Sequence, residues 1–240
     1  MKIFLSIAFV LIGCASTAVA DTPAPERTLV YSFTYGVQGV LNEHNSMAYG
    51  ETGHGTADYK GAINDYGVMT VQVLREQPDR GLIVTIVESG QNTRKADLGT
   101  CVVYGNTNVV CDSNVTNSEE LTLLRFLGTT FVDPNQIDAK QHWVVDDSNS
   151  MVSVHADYTI ASNHDGIMKI NELRIVKQKT GEPTTTTVNS TLTYDYPKLI
   201  PTDIIENAET IQEEGPQGTM TSRYQTTLKL VSDSMAGKKP

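Results

Sequence analysis

At 240 residues, with 28 acidic against 18 basic side chains, a net charge of −10 and 39% hydrophobic content, the chain has apolar material for a folded core and a length that suits one domain. So acidic a protein repels nucleic-acid phosphates and anionic head groups, which excludes nucleic acid as a partner and closes the basic-patch route to a membrane surface. The lysine pair Lys238-Lys239 lies in the tail.

The chain opens with Met1-Lys2, runs almost without a polar residue from Ile3 to Ala15, and reaches Ala18-Val19-Ala20 before Asp21. A charged start, a short apolar stretch and a small-x-small exit predict a secretory signal peptide over residues 1–20, too short to remain as a membrane span. Leu11-Ile12-Gly13-Cys14 also has the form of a bacterial lipoprotein site, in which Cys14 would carry the lipid anchor. Cleavage after Ala20 is preferred, because it leaves an apolar region of ordinary length. Either exit places the mature chain outside the cytoplasm, periplasmic or secreted in the first case and membrane-anchored in the second. No later segment is apolar enough to span a bilayer. Without residues 1–20 the charge becomes 17 basic against 28 acidic, or −11. A flexible start over 21–28, a β-rich domain over 29–233 and a tail over 234–240 complete the expected organisation.

Alternation of apolar and polar residues dominates the chain beyond residue 28. Leu29, Tyr31, Phe33, Tyr35 and Val37 share one face of a predicted strand; Ala57, Tyr59, Gly61 and Ile63, then Met69, Val71 and Val73, continue the pattern. A turn at Pro78-Asp79-Arg80-Gly81 leads into Leu82–Val87, apolar on both faces except for Thr85 and so expected to be central. Cys101 and Cys111 flank two β-branched arms around Gly105-Asn106-Thr107-Asn108, and numbering inward from both converges on Asn106. The two sulfurs therefore face each other across a hairpin, and an oxidising compartment favours a disulfide.

The texture then changes. Asn117–Thr130 carries Leu121, Leu124, Leu127 and Phe131 at helical spacing, widened by Leu123 and Phe126, behind a capping-box-like Asn117 and Glu120. Beyond Asp133-Pro134 strands resume, with His142–Val145, then Val152, Val154, Ala156, Tyr158 and Ile160 in strict alternation, and a hairpin turn at Asn163-His164-Asp165-Gly166. The step from Ile170 to Leu173 requires a bulge near Asn171 and Glu172 if both apolar residues face inward. Val188, Leu192, Tyr194 and Tyr196, and then Met220, Tyr224, Leu228 and Leu230, close the series, with Thr184–Thr187 as a flat, exposed strand start. Gly39–Gly53 and Pro197–Gly218, rich in Gly, Pro or acidic residues, read as long loops.

Nine to eleven strands with one apolar mid-chain helix predict a single mainly-β domain: a curved, half-barrel-like antiparallel sheet with the helix on its concave side. A two-sheet β-sandwich is the alternative. In element order the half-barrel resembles periplasmic carriers of lipids and lipoproteins, a likeness of architecture that implies fold and not function.

Catalytic and metal motifs are absent: there is no HExxH, GxSxG, P-loop or GxGxxG. His155 beside Asp157, and His44 and His54 with Glu43 and Glu51, are the arrangements nearest to a metal or acid–base site, and a solvated polar surface accounts for each. Asp146–Ser150 lacks the glycine and terminal glutamate of a calcium loop and reads as a polar turn. Asn114 and Asn189 begin glycosylation sequons relevant only to a eukaryotic host, whereas the lipoprotein-like stretch points to bacteria. No catalytic residue, metal or cofactor is therefore assigned.

The tyrosines are the suggestive group. Tyr31, Tyr35, Tyr59, Tyr158, Tyr194 and Tyr224 fall on the apolar faces of predicted strands, where they either fill a core or line a cavity with apolar walls and polar handles. The expected function is non-enzymatic, with a lipid-like or aromatic small molecule, or a partner segment, held in the concave face. A structural or adhesive β module with a solid core, and a hydrolase with loop carboxylates, are the competing classes.

Overall fold

A computed structural model describes residues 25–43, 61–76, 81–91, 98–104, 109–112, 115, 118–127, 142–181, 183–198, 200–213 and 218–235. Eleven strands form one antiparallel sheet: β1 (Arg27–Glu43), β2 (Gly61–Glu76), β3 (Leu82–Gly90), β4 (Gly99–Val103), β5 (Val109–Cys111), β6 (His142–Ser148), β7 (Val152–His164), β8 (Ile167–Gln178), β9 (Thr184–Asp195), β10 (Ile200–Glu213) and β11 (Gly218–Asp233). Their spatial order is β5-β4-β3-β2-β1-β11-β10-β9-β8-β7-β6. Two meanders thus diverge from the pairing of the first strand with the last. The curved mainly-β sheet is as expected, and its continuity replaces the two-sheet sandwich.

One face of the sheet is apolar because successive strands place alternate residues inward and antiparallel pairing aligns them into rows. Phe33, Leu228, Ile204, Leu192 and Ile170 form one such row across β1, β11, β10, β9 and β8, and all are buried. The helix α1 (Ser118–Leu124) lies on this face, with Leu123, Leu124, Phe126 and Leu127 buried in the core. Glu119 and Glu120 in its first turn suit the positive end of the helix dipole.

Several expectations are corrected. The helix is shorter than 117–130: past Leu124 the chain tightens, with Phe126 N–H donating to Leu123 O and Leu127 N–H to Leu124 O. Its surroundings are also less apolar than predicted, since Leu121 is exposed while Thr122 and Arg125 are buried. Most of Pro197–Gly218 is not a loop. After a 3₁₀ turn at Tyr196–Lys198 it becomes β10, paired on both sides by β9 and β11. The bulge expected at Asn171 and Glu172 is absent from β8; the register shift lies in β7 between Ile160 and Ser162, and Glu172 simply faces inward. Thr184–Thr187 begins β9 between β8 and β10 and is half-buried. β1 continues through Glu43, into the expected Gly39–Gly53 loop. The signal peptide with Cys14, as well as His44, His54, Ala57, Tyr59, the Pro78–Arg80 turn and Phe131, lie outside the described residues.

Two local expectations hold. Cys101 pairs with Cys111 in register, and their sulfurs are bonded. The β7–β8 connection is a two-residue turn with positive φ at both Asp165 (51°) and Gly166 (80°), the geometry that favours an Asp-Gly pair.

Candidate functional site

A row of polar and aromatic residues crosses the helix face. In register from β2 to β6 it reads Asp65, Tyr35, Thr226, Glu206, Ser190, Glu172, Tyr158 and Trp143. Glu172 follows Ile170, and Glu206 follows Ile204, by two residues, so strand geometry alone turns both carboxylates into the core. Thr122 and Arg125 stand three apart on one side of the helical segment and meet them. Arg125 reaches Glu206 Oε2 at 2.7 Å and Glu172 Oε1 at 3.5 Å, and Thr122 donates to Glu206 Oε1 at 3.1 Å. Tyr158 (3.0 Å) and Ser190 (2.6 Å) donate to the two oxygens of Glu172. Trp143 stacks on Tyr158 with ring centroids 5.1 Å apart.

This cluster fastens the helical segment to β8 and β10. Burial is the main influence on Glu206 and raises its carboxyl above the ordinary range, although Arg125 and Thr122 oppose it and Glu172 adds to it. Burial would by itself lower the Arg125 pKa, but Glu172 and Glu206 outweigh it and the guanidinium stays charged. With two carboxylates for one guanidinium, removal of the cation would leave negative charge in the core without its counterion.

Next to the polar row, the helix face continues as Val37, Tyr224, Ala208, Val188, Arg174, Ala156 and Val145, again in register across seven strands. Val37, Tyr224, Ala208, Arg174 and Val145 are half-buried, in contrast to the sealed row of Phe33, Leu228 and Ile204. The row combines small apolar walls, one phenol and one guanidinium.

The predicted tyrosines separate accordingly. Tyr31 and Tyr194 are core residues: Tyr31 donates to the Pro201 carbonyl at 2.8 Å, and burial, the largest influence on both phenols, holds them protonated. Tyr158 belongs to the Arg125 cluster, Tyr35 is a half-buried member of the polar row, and Tyr224 lies in the half-buried apolar row. The five described tyrosines thus fall in the core, the Arg125 cluster and two neighbouring rows, and Tyr59 lies outside the described residues. Sequence reasoning missed Arg125, Glu172, Glu206 and Arg174. The signal available was parity: Met168, Ile170, Glu172 and Arg174 keep one two-residue rhythm, as do Ile204, Glu206 and Ala208.

His155 and Asp157 share the outer face of β7 two residues apart, and each has a cross-strand partner: His155 Nδ1 lies 2.7 Å from Asp146 and His142 Nε2 lies 2.6 Å from Asp157, all four on the surface away from the helix. Asp146–Ser148 ends β6, and Asn149 Oδ1 accepts from the N–H groups of Met151 and Val152, as a polar turn should. Among the described residues no three His, Cys, Asp or Glu side chains converge as metal ligands. No described helix is long and apolar enough to cross a membrane.

Fold and site together define a class: an open antiparallel sheet whose apolar face carries, among the described residues, a short helix fastened there by a buried arginine–carboxylate cluster. No family model and no curated protein matches the chain. Among solved structures it is similar to lipovitellin, in a structure concerned with lipid–protein interactions, at a TM-score of 0.46 and 10% identity, over 90% of this chain and 26% of that one. An engineered protein with asymmetric conductivity (TM-score 0.24, 10% identity, 85% of this chain and 100% of that one) is a second similarity. A mutant Rh. blastica porin (TM-score 0.25, 11% identity, 84% and 99%) is a third. At these scores and identities the similarities assign no function.

Proposed function

We propose that the protein is an extracytoplasmic, non-enzymatic binding protein that holds a lipid-like or aromatic molecule against the helix face of its sheet. The observation that carries this reading is the row from Val37 to Val145, in which Val37, Tyr224, Ala208, Arg174 and Val145 stay half-buried beside a sealed core while Val188 and Ala156 are covered. Ala208 is small and only half-buried, and burial of an apolar body against it is favoured by roughly 25 cal/mol per Å². Tyr224 and Arg174 supply orienting groups, a hydroxyl and a cation suited to the polar end of an amphiphile. The leader read from residues 1–20 supports export.

Gentle purification of the exported protein, solvent extraction and mass spectrometry test the reading. A recurring amphiphile near one per chain, lost on substituting Ala208→Phe to fill the row, is the expected result. No extractable molecule and no uptake of an environment-sensitive apolar dye would remove it in favour of a structural β module.

A further inference from the structure

The face of the sheet opposite the helix carries a second feature. Asn64, Gly36, Gln225, Asn207 and Asn189 are aligned in register across β2, β1, β11, β10 and β9. Beside this row run Gln38, Arg223, Glu209 and Thr187. The two rows, with Val37, Ala208 and Tyr224 of the strand positions between them, line a depression of about 550 Å³, within the size range of small-molecule sites. Gly36 interrupts the amide row with no side chain, and Asn64, Asn189, Asn207 and Gln225 are exposed around that gap. Five strands at a spacing of about 4.8 Å make the row about 19 Å long.

We propose that this groove binds a neutral glycan chain. Each amide carries both a donor pair and an acceptor, the combination that vicinal hydroxyls match, and Gln225, Asn207 and Asn189 stand along one line on adjacent strands. Tyr66, 54% exposed and on the same face two residues from Asn64, presents a flat ring beside the depression, suited to the apolar face of a sugar.

Other ligand classes fit less well. Arg223 is the guanidinium in the groove, and it is bound to Glu209 at 2.7 Å, so the site is neutral on a chain whose net charge of −10 disfavours anions. An extended peptide binds a sheet by pairing with an edge strand, whereas this groove crosses the middle of the sheet, where the strands are already paired on both sides.

The test is side-chain amide NMR on the full mature protein titrated with cellohexaose, maltohexaose and chitohexaose, with inorganic phosphate and a neutral hexapeptide as controls. At least one hexasaccharide should shift the Asn189, Asn207 and Gln225 amide signals saturably. Gly36→Val should close the gap: a Cβ there meets Asn64 Oδ1 at 3.1 Å, the end of a side chain that can swing aside, and the strand tolerates valine. That variant should weaken binding at least tenfold, whereas Asn171→Ala, on the same face outside the groove, should leave it unchanged. Should Gly36→Val fail to fold, Asn207→Ala should show the same loss. Absence of a saturable shift with every sugar at millimolar concentration, equal binding by a folded Gly36→Val protein, or a response to phosphate or peptide instead would overturn the proposal.

Discussion

Replacing Arg125 with methionine tests whether the cluster fastens the helical segment to the sheet. The guanidinium is buried, with 7% of its side chain exposed, and methionine keeps the apolar stem while deleting the charge. Breaking a buried ion pair by removing one partner typically costs about 3–5 kcal/mol. Glu172 would keep its bonds from Tyr158 and Ser190, and Glu206 its bond from Thr122, which argues for the lower end, about 3 kcal/mol. Urea unfolding at neutral pH should show this as a lower midpoint with an unchanged slope. The deficit should depend on pH. The folded-state pKa of Glu206 is already raised by burial, so its stability contribution is complete below the unfolded pKa and is lost as pH rises through the folded one. Without Arg125 that pKa rises further, and acidification from neutrality towards the ordinary glutamate range should recover up to about 1.4 kcal/mol per pH unit relative to wild type. Combining Arg125→Met with Glu172→Gln and Glu206→Gln removes the three ionisable groups of the cluster and should return stability to within about 1–2 kcal/mol of wild type. A single variant within about 1 kcal/mol of wild type at neutral pH, or a deficit indifferent to acid, would refute the reasoning.

Leu124→Asp, which places a carboxylate at a fully buried position of the helix, should lose at least about 3 kcal/mol in the same unfolding assay. Joint replacement of Cys101 and Cys111 by serine should lower stability by about 2–3 kcal/mol, because the bridge closes a loop of sequence separation 10; thermal unfolding with and without reductant checks it. Gly67→Ala should destabilise the β2–β3 pairing by more than about 1 kcal/mol, since a Cβ there would clash with the Ser89 carbonyl oxygen, and amide exchange localises the damage.

The fold was legible wherever inward positions were apolar. Leu29, Tyr31 and Phe33 announced β1, and Ala156, Tyr158 and Ile160 announced β7, because alternation with polar neighbours is what a half-buried strand imposes on a sequence. It was illegible where an inward position carried charge. Reading Glu172 as outward forced a bulge that β8 does not have, and Glu206 made β10 resemble an acidic loop. Both carboxylates are tolerated inside because Arg125, 81 residues before Glu206 and 47 before Glu172, arrives from the helical segment to neutralise them. Local pattern cannot register a partner at that separation. The disulfide was legible for the opposite reason: its partners face each other within one hairpin, and residue counting fixes their register.

Titration of the mature protein with a fluorescent fatty acid, in wild type and in the Ala208→Phe and Arg174→Met variants, tests binding at the helix face most directly. Wild type should bind saturably at one site; Ala208→Phe should abolish uptake, and Arg174→Met should weaken it about tenfold or more, with unfolding midpoints close to wild type. Saturable uptake that neither substitution alters, or no uptake by wild type, would contradict the account.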